Sequence, residues 1–162
     1  MDRQQIDKQL SYCPVAWQAK HNPQQIALQT DKQSITFGEL HLQVESVTLQ
    51  LKALSMKEAD RLACIATNSV ALVLLQLACL RCGFIFCPIN AKFNEAEVNK
   101  RLAVLKTPFI WHQDNEKNNL AVNFDLELAK TAKQSEIDLE AFSIDKFNVI
   151  SIIFTSGSRR ST

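Results

Sequence analysis

Thr155-Ser156-Gly157-Ser158 is the stretch of this chain whose residue types best suit chemistry. Three hydroxyls and a glycine sit together directly after an apolar, β-branched run at residues 147–154 that includes Val149, Ile150, Ile152 and Ile153. A buried strand opening into a small, hydroxyl-rich loop presents backbone N–H groups and hydroxyls to a phosphate. Gly157 carries no Cβ and lets the backbone approach a ligand closely. The plain alternative is a polar turn closing a strand.

The other chemistry-bearing residues form no such constellation. Cys79-Leu-Arg-Cys82 spells C-x-x-C. A metal site needs a second ligand pair at suitable spacing, and the sequence supplies none. A redox pair needs a helix N-terminus, where the dipole lowers a thiol pKa, and this pair falls near the end of a helical segment. Cys79 and Cys82 are therefore read as small apolar core residues. The cysteine count is odd (Cys13, Cys64, Cys79, Cys82, Cys87), so reduced thiols in a cytoplasm are expected. His21, His41 and His112 are scattered, with no partner four residues away. Ser69 lacks an identifiable base for a nucleophilic role, and Asn68 or Ser69 is read as the cap of the next helix. Trp17 and Trp111 are read as packing residues, and residues 114–119 as a solvated loop.

The elements that would position the loop emerge from periodicity. Residues 3–20 are predicted helical, with a break near Cys13-Pro14. Two short strands, 26–30 and 34–36, flank Asp31-Lys32-Gln33 as a hairpin. Thr36-x-x-Glu39 has the form of a capping box. It opens a helix whose Leu40, Val44, Val47, Leu51 and Leu54 make one apolar face. A strand over 61–66 precedes a helix over 69–82, apolar nearly all round and so expected to be buried on most sides. Gly83 suits a left-handed C-terminal position. A strand over 84–87 is expected to stop at Pro88. Asn94-x-x-Glu97 caps a helix bearing Val98, Leu102 and Leu105. Phe109 to Trp111 is a strand, 120–124 a further strand and 126–133 a helix. Residues 134–146 read as polar and irregular, and 147–154 as the closing strand.

Strands alternating with helices predict an α/β fold: a largely parallel central sheet with helices on both faces. The apolar strand runs agree, since such a sheet is covered on both sides. The 162 residues fit one domain or most of one. With 18 basic against 17 acidic residues, charge makes no case for nucleic acid or an anionic membrane. Only three glycines argue against a loop-rich all-β sandwich. The N-terminus lacks a secretory signal, and the longest apolar run, 70–80, is too short to span a bilayer.

The order of these pieces resembles the adenylate-forming superfamily of acyl-CoA synthetases, luciferases and nonribosomal adenylation domains. The matching segments are His21-Asn-Pro-Gln-Gln-Ile-Ala-Leu28, Ile35-Thr-Phe-Gly-Glu-Leu40, Asp60-Arg-Leu-Ala-Cys-Ile65, Asn68-Ser69, and Leu80-Arg-Cys-Gly-Phe-Ile-Phe-Cys-Pro-Ile-Asn90. Phe154-Thr-Ser-Gly-Ser158 looks like the start of that family's phosphate loop. Trp17, the short run before the first strand, and Leu77 to Gly83 leading to Pro88-Ile-Asn90 look most like the o-succinylbenzoate–CoA ligases of menaquinone synthesis. The resemblance implies that residues 1–162 are the N-terminal part of an AMP-binding domain, with the C-terminal domain absent.

The resemblance also implies a reaction. A carboxylate attacks the α-phosphate of ATP, giving an acyl-adenylate, and coenzyme A then displaces AMP. Thr155, Ser156, Gly157 and Ser158 would contact the ATP phosphates, with Mg²⁺ as the accompanying ion. The substrate would be a small carboxylic acid, with o-succinylbenzoate suspected. The family loop continues with Thr, Gly, a variable residue, Pro and Lys; this chain continues Arg159-Arg160-Ser161-Thr162. Arg160 stands where a glycine is expected, and the Lys does not arrive. A chain truncated inside the phosphate loop is therefore expected to be inactive alone, to bind none of these cofactors and to self-associate. Two rival readings stay open: another acyl, aryl or amino-acid adenylating enzyme, and a non-catalytic α/β module that binds a nucleotide or a partner.

Overall fold

The computed structural model describes residues 12–124, 136–144 and 148–154. At its centre β3 (Arg61–Ala66) pairs in parallel with β4 (Ile85–Asn90) on one side and β5 (Ile110–His112) on the other. Ahead of this sheet, β1 (Ile26–Gln29) and β2 (Ser34–Thr36) form an antiparallel hairpin. Among the described residues, four α-helices accompany them: α1 (Pro14–His21), α2 (Phe37–Lys52), α3 (Val70–Cys82) and α4 (Glu95–Leu105).

Period-two alternation sends successive residues of a strand to opposite faces. Leu62, Cys64, Ala66 and Phe86 join one core with α1, α2 and α3, including Ala16, Val44, Val47, Leu74 and Leu75. Ala63, Ile65, Ile85, Cys87 and Ile89 face the other way, onto Leu105, Val98 and Leu102 of α4. The parallel sheet with helices on both faces is therefore present. Leu51, Leu62, Leu74 and Leu75 are fully buried, each stabilising the fold by about 1.5–3 kcal/mol relative to exposure.

The helix boundaries follow from side-chain chemistry. Thr36 accepts from the Glu39 N–H at 3.3 Å while the Glu39 carboxylate accepts from the Thr36 N–H at 2.8 Å, closing the capping box. Ser69 Oγ accepts from Leu72 N–H at 3.2 Å, and Asn94 Oδ1 from Glu97 N–H at 2.9 Å. Gly83 ends α3 at φ +69°, in the left-handed region.

Several expectations need correction. Pro88 does not stop β4; it lies inside it, opposite Cys64. The N–H groups of Ile85 and Ala91 donate toward β3, to Asp60 and Ala66, whereas Phe86 N–H donates outward, to Ile150 O. Pro88 shares the outward parity of Phe86, so its missing N–H removes no bond to β3. Residues 120–124 form no strand; Asn123 instead exchanges hydrogen bonds with the side chain of Gln50. The α3 helix is buried at Leu74, Leu75, Ala78 and Cys79 only, and Gln76 is exposed. Among the described residues, α2 and the sheet cover one side of α3 and leave the other half-exposed. Residues 114–119 are the solvated loop expected, exposed except for half-buried Asn118, and the loop also serves the sheet. Asn119 Oδ1 accepts from Ile110 N–H at 3.0 Å and Asn118 Oδ1 from His112 N–H at 3.4 Å, so two amide side chains cover the outer edge of β5. The helix expected over 126–133 and residues 3–11 of the first expected helix lie outside the described residues.

Candidate functional site

Thr155, Ser156, Gly157 and Ser158 lie outside the described residues, which end at Phe154. The structure does describe what leads to them. Phe86 N–H donates to Ile150 O and Ile152 N–H to Phe86 O, both at 3.0 Å, making a parallel bridge between Phe86 and Ser151. Residues 150–154 thus run beside β4 and in its direction. Ile152 and Phe154 turn to the α4 face and pack in that core. Over the described residues 148–154 the expected closing strand is a single bridge rather than a ladder: on one side of it Phe84 N–H is taken by Cys79 O, and on the other stands Pro88. The next outward donor on β4 would be residue 88, which has no N–H.

Phe154 consequently sits toward the carboxyl edge of the sheet, where β3, β4 and β5 also end. In open α/β sheets this edge is where ligands bind. Two helix N-termini stand there, capped by Ser69 and Asn94, and each leaves backbone N–H groups pointing outward. The edge is braced by its own side chains. Gln113 Oε1 accepts from the Thr67 N–H and hydroxyl at 2.8 and 3.1 Å, and Asn90 Oδ1 accepts from Lys92 N–H at 2.9 Å. Among the described residues, no group of three His, Cys, Asp or Glu side chains could hold a metal ion.

The cysteines behave as core residues. Cys13, Cys64, Cys79 and Cys87 are buried and Cys82 is half-buried. Burial pushes the Cys82 and Cys87 thiols up to about 11 and those of Cys64 and Cys79 up as well. A raised thiol pKa is the opposite of what a redox pair requires. Ser69 is a cap, as expected. Trp111 is buried, edge-on to Phe124 at 5.5 Å, while Trp17 is half-buried and stacks on His21 at 4.3 Å.

Sequence reasoning missed one polar cluster. His41, read only as scattered, is buried where α2 meets α3, with Arg81 Nη2 3.0 Å from its Nδ1. Phe142 lies edge-on to the imidazole at 4.9 Å and beneath the Arg81 guanidinium at 4.7 Å. The fourth position after His41 is Glu45, 3.8 Å from Nε2. That spacing was a usable signal. The cluster ties residues 136–144 to the helices and lies on the α2–α3 side of the sheet, away from the α4 face that receives Phe154.

A parallel sheet covered on both faces, with capped helix N-termini at its carboxyl edge, defines an α/β domain of the ligand-binding type. The chain belongs to the family of AMP-binding enzymes, whose model matches residues 15–159. It is 28% identical over 144 residues to a mycosubtilin synthase of Bacillus subtilis, covering 87% of this chain and 6% of that protein. It is 28% identical over 141 residues to a 2-succinylbenzoate–CoA ligase of Bacillus cytotoxicus, covering 84% of this chain and 28% of the ligase. Among solved structures it is similar to the o-succinylbenzoate coenzyme A synthetase of Bacillus subtilis in complex with AMP. The TM-score there is 0.69 at 23% identity, over 90% of this chain and 39% of that one. It is also similar to the N-terminal subdomain of Klebsiella oxytoca NpsA in complex with 3-hydroxyanthranilyl-AMSN, with a TM-score of 0.66 at 21% identity, over 90% of this chain and 37% of that one. The chain thus spans well under half the length of these relatives.

Proposed function

We propose that this chain is the N-terminal part of an ATP-dependent acid–thiol ligase that makes an acyl-adenylate and then an acyl-CoA. O-succinylbenzoate is the acid and menaquinone synthesis in the cytoplasm the setting. In this reading Thr155, Ser156, Gly157 and Ser158 open the loop that holds the ATP phosphates. The observation that carries it is the parallel docking of residues 150–154 beside β4, which leads Phe154 toward the ligand-binding edge. The two Bacillus relatives named as 2-succinylbenzoate–CoA ligase and o-succinylbenzoate coenzyme A synthetase support the choice of acid.

The chemistry asks for donors fixed in advance. Three phosphates must be held in line while charge moves onto the departing pyrophosphate. Preorganised N–H groups and hydroxyls stabilise that charge without reorganising when it develops. Hydroxyls of Thr155, Ser156 and Ser158 donate to phosphate oxygens, and Gly157 leaves room for backbone N–H groups to do the same. Arg160 stands where the resembled loop has a glycine, and a side chain there would crowd that approach. Its guanidinium attracts phosphate without restoring the loop's shape.

The 162-residue chain is accordingly expected to be inactive alone. An ATP–pyrophosphate exchange assay on the purified chain with o-succinylbenzoate should stay at background, and turnover above it overturns the inactive reading. The codons that follow Ser158 in the natural gene test the ligase assignment: a frame running through Pro-Lys and several hundred residues more is expected, and a stop nearby refutes it. A second reading is a nucleotide-binding module without catalysis, for which the helix N-termini capped by Ser69 and Asn94 at the carboxyl edge would serve. Calorimetry separates the two, because the module requires measurable ATP binding and the broken loop predicts little.

A further inference from the structure

We infer that Arg101 is a positioning residue that clamps the end of the terminal strand against α4 and so sets where the chain leaves the sheet toward Thr155. The inference rests on the phosphate-loop reading for its purpose, but not for its geometry. Among the described residues, the segment 148–154 hangs on β4 by two backbone hydrogen bonds, both to Phe86. Pro88 has no N–H with which to continue the pairing, so side chains must hold the two residues beyond Ile152.

Arg101 is placed to do this. Its guanidinium lies 3.8 Å from the centroid of the Phe93 ring and 5.9 Å from that of Phe154, within the range of cation–π attraction to both. Phe93 precedes the Asn94 cap of α4, and Phe154 is the residue before Thr155. Arg101 Nη1 donates to the Glu97 carbonyl at 2.9 Å, one turn back on the same helix, which fixes the side chain in its helical register. Its Nε is buried with no hydrogen-bond partner. A guanidinium that gives up a hydrogen bond there does so against ring faces. A lysine in the same place would offer a point charge without the plane. The clamp thus joins three things that the backbone leaves separate: the start of α4, its middle turn, and the exit of the terminal strand.

Amide hydrogen exchange on the 162-residue chain tests this directly. The Ile152 and Phe86 amides close the two bonds to the segment, so they report its docking. In Arg101→Met, which keeps an apolar stem on α4, both should exchange about tenfold faster. The Ile85 and Ala63 amides, bonded to Asp60 and Phe109, should be unchanged and thereby certify the fold. Phe93→Leu should give the same local change, and the double variant no more than either single one. Unaltered Ile152 protection in a folded Arg101→Met chain overturns the inference, as does loss spread evenly over all four amides. Should Arg101→Met not fold, Phe154→Leu, which removes the ring from the other side, carries the same expectations. A calorimetric titration with inorganic pyrophosphate probes the underlying phosphate-loop reading separately. Little binding is what the broken loop predicts; tight binding in the unsubstituted chain counts against the broken loop and leaves the exchange result to decide the clamp.

Discussion

Arg81 hydrogen-bonds through Nη2 to Nδ1 of His41 at 3.0 Å, across the buried contact between α3 and α2. A guanidinium can only donate, so Nδ1 accepts and the imidazole is neutral, with its proton on Nε2 toward Glu45. Burial first, and the Arg81 charge second, lower the His41 pKa from 6.5 to about 4. The folded state therefore refuses a proton that the unfolded chain takes up once pH falls below 6.5. Stability is full above that value, declines as pH falls from 6.5 to about 4, and levels off below it. The loss reaches roughly 3 kcal/mol. His41→Asn keeps an acceptor near Arg81 but cannot titrate. Urea unfolding between pH 7 and 4.5 should show a slope smaller by about one proton in the variant. Equal slopes would mean that His41 is not the titrating group.

Gly83 predicts a second measurable cost. It occupies φ +69°, and a Cβ placed on it would stand 3.0 Å from Glu58 Cγ. The Glu58 side chain can swing away, so the conformational penalty dominates. Gly83→Ala should destabilise the fold by about 1 kcal/mol, and Gly83→Asn by less, since asparagine tolerates the left-handed region. A thermal melt of both variants checks the order, and an alanine variant as stable as the parent would remove Gly83 as a required cap.

The elements legible in the sequence are those fixed by local chemistry. Thr36 with Glu39, Ser69, Asn94 and Gly83 each mark a helix boundary through a hydrogen bond or a backbone angle that a few neighbouring residues decide. What was misread depends on distant partners. Pro88 reads as a strand stop until one sees that its missing donor points outward from the sheet. Asn118 and Asn119 lie in the solvated loop as read, but their bonds to β5 stay unread until that strand is seen to need acceptors along its outer edge. The His41–Arg81 pair spans 40 positions, beyond any local window. At the candidate site, the approach through Ile152 and Phe154 follows from the apolar run, but its reduction to one bridge turns on Phe84 and Pro88, distant in the sequence.

The capping box at the start of α2 gives a clean local test. Glu39 Oε2 accepts from both the backbone N–H and the hydroxyl of Thr36, at 2.8 and 2.9 Å. Thr36→Ala removes the hydroxyl that receives the Glu39 N–H and should cost about 1 kcal/mol. Thr36→Ser should cost far less, because the oxygen is retained. Chemical denaturation resolves the two, and an alanine variant indistinguishable from serine would show that the hydroxyl contributes nothing to stability.

Self-association follows from a contrast between the two edges of the sheet. On β5 the outward N–H groups of Ile110 and His112 are taken by Asn119 and Asn118. At the opposite edge, Ser151 and Ile153 have the parity that faces away from β4, and among the described residues neither N–H donates to a backbone carbonyl. Val149, Ile150 and Ile153 are 61%, 51% and 70% exposed beside them. An unpaired, β-branched edge of this kind templates pairing with another chain. The 162-residue chain should therefore dimerise or form larger species as concentration rises. Ile153→Lys places a charge on the exposed face without touching Ile152 or Phe154, which hold the segment in the α4 core, and should return the chain toward monomer. Light scattering across a concentration series measures both. A parent chain that stays monomeric at high concentration rules out the edge as a pairing surface, and association unchanged by Ile153→Lys moves the contact elsewhere on the molecule.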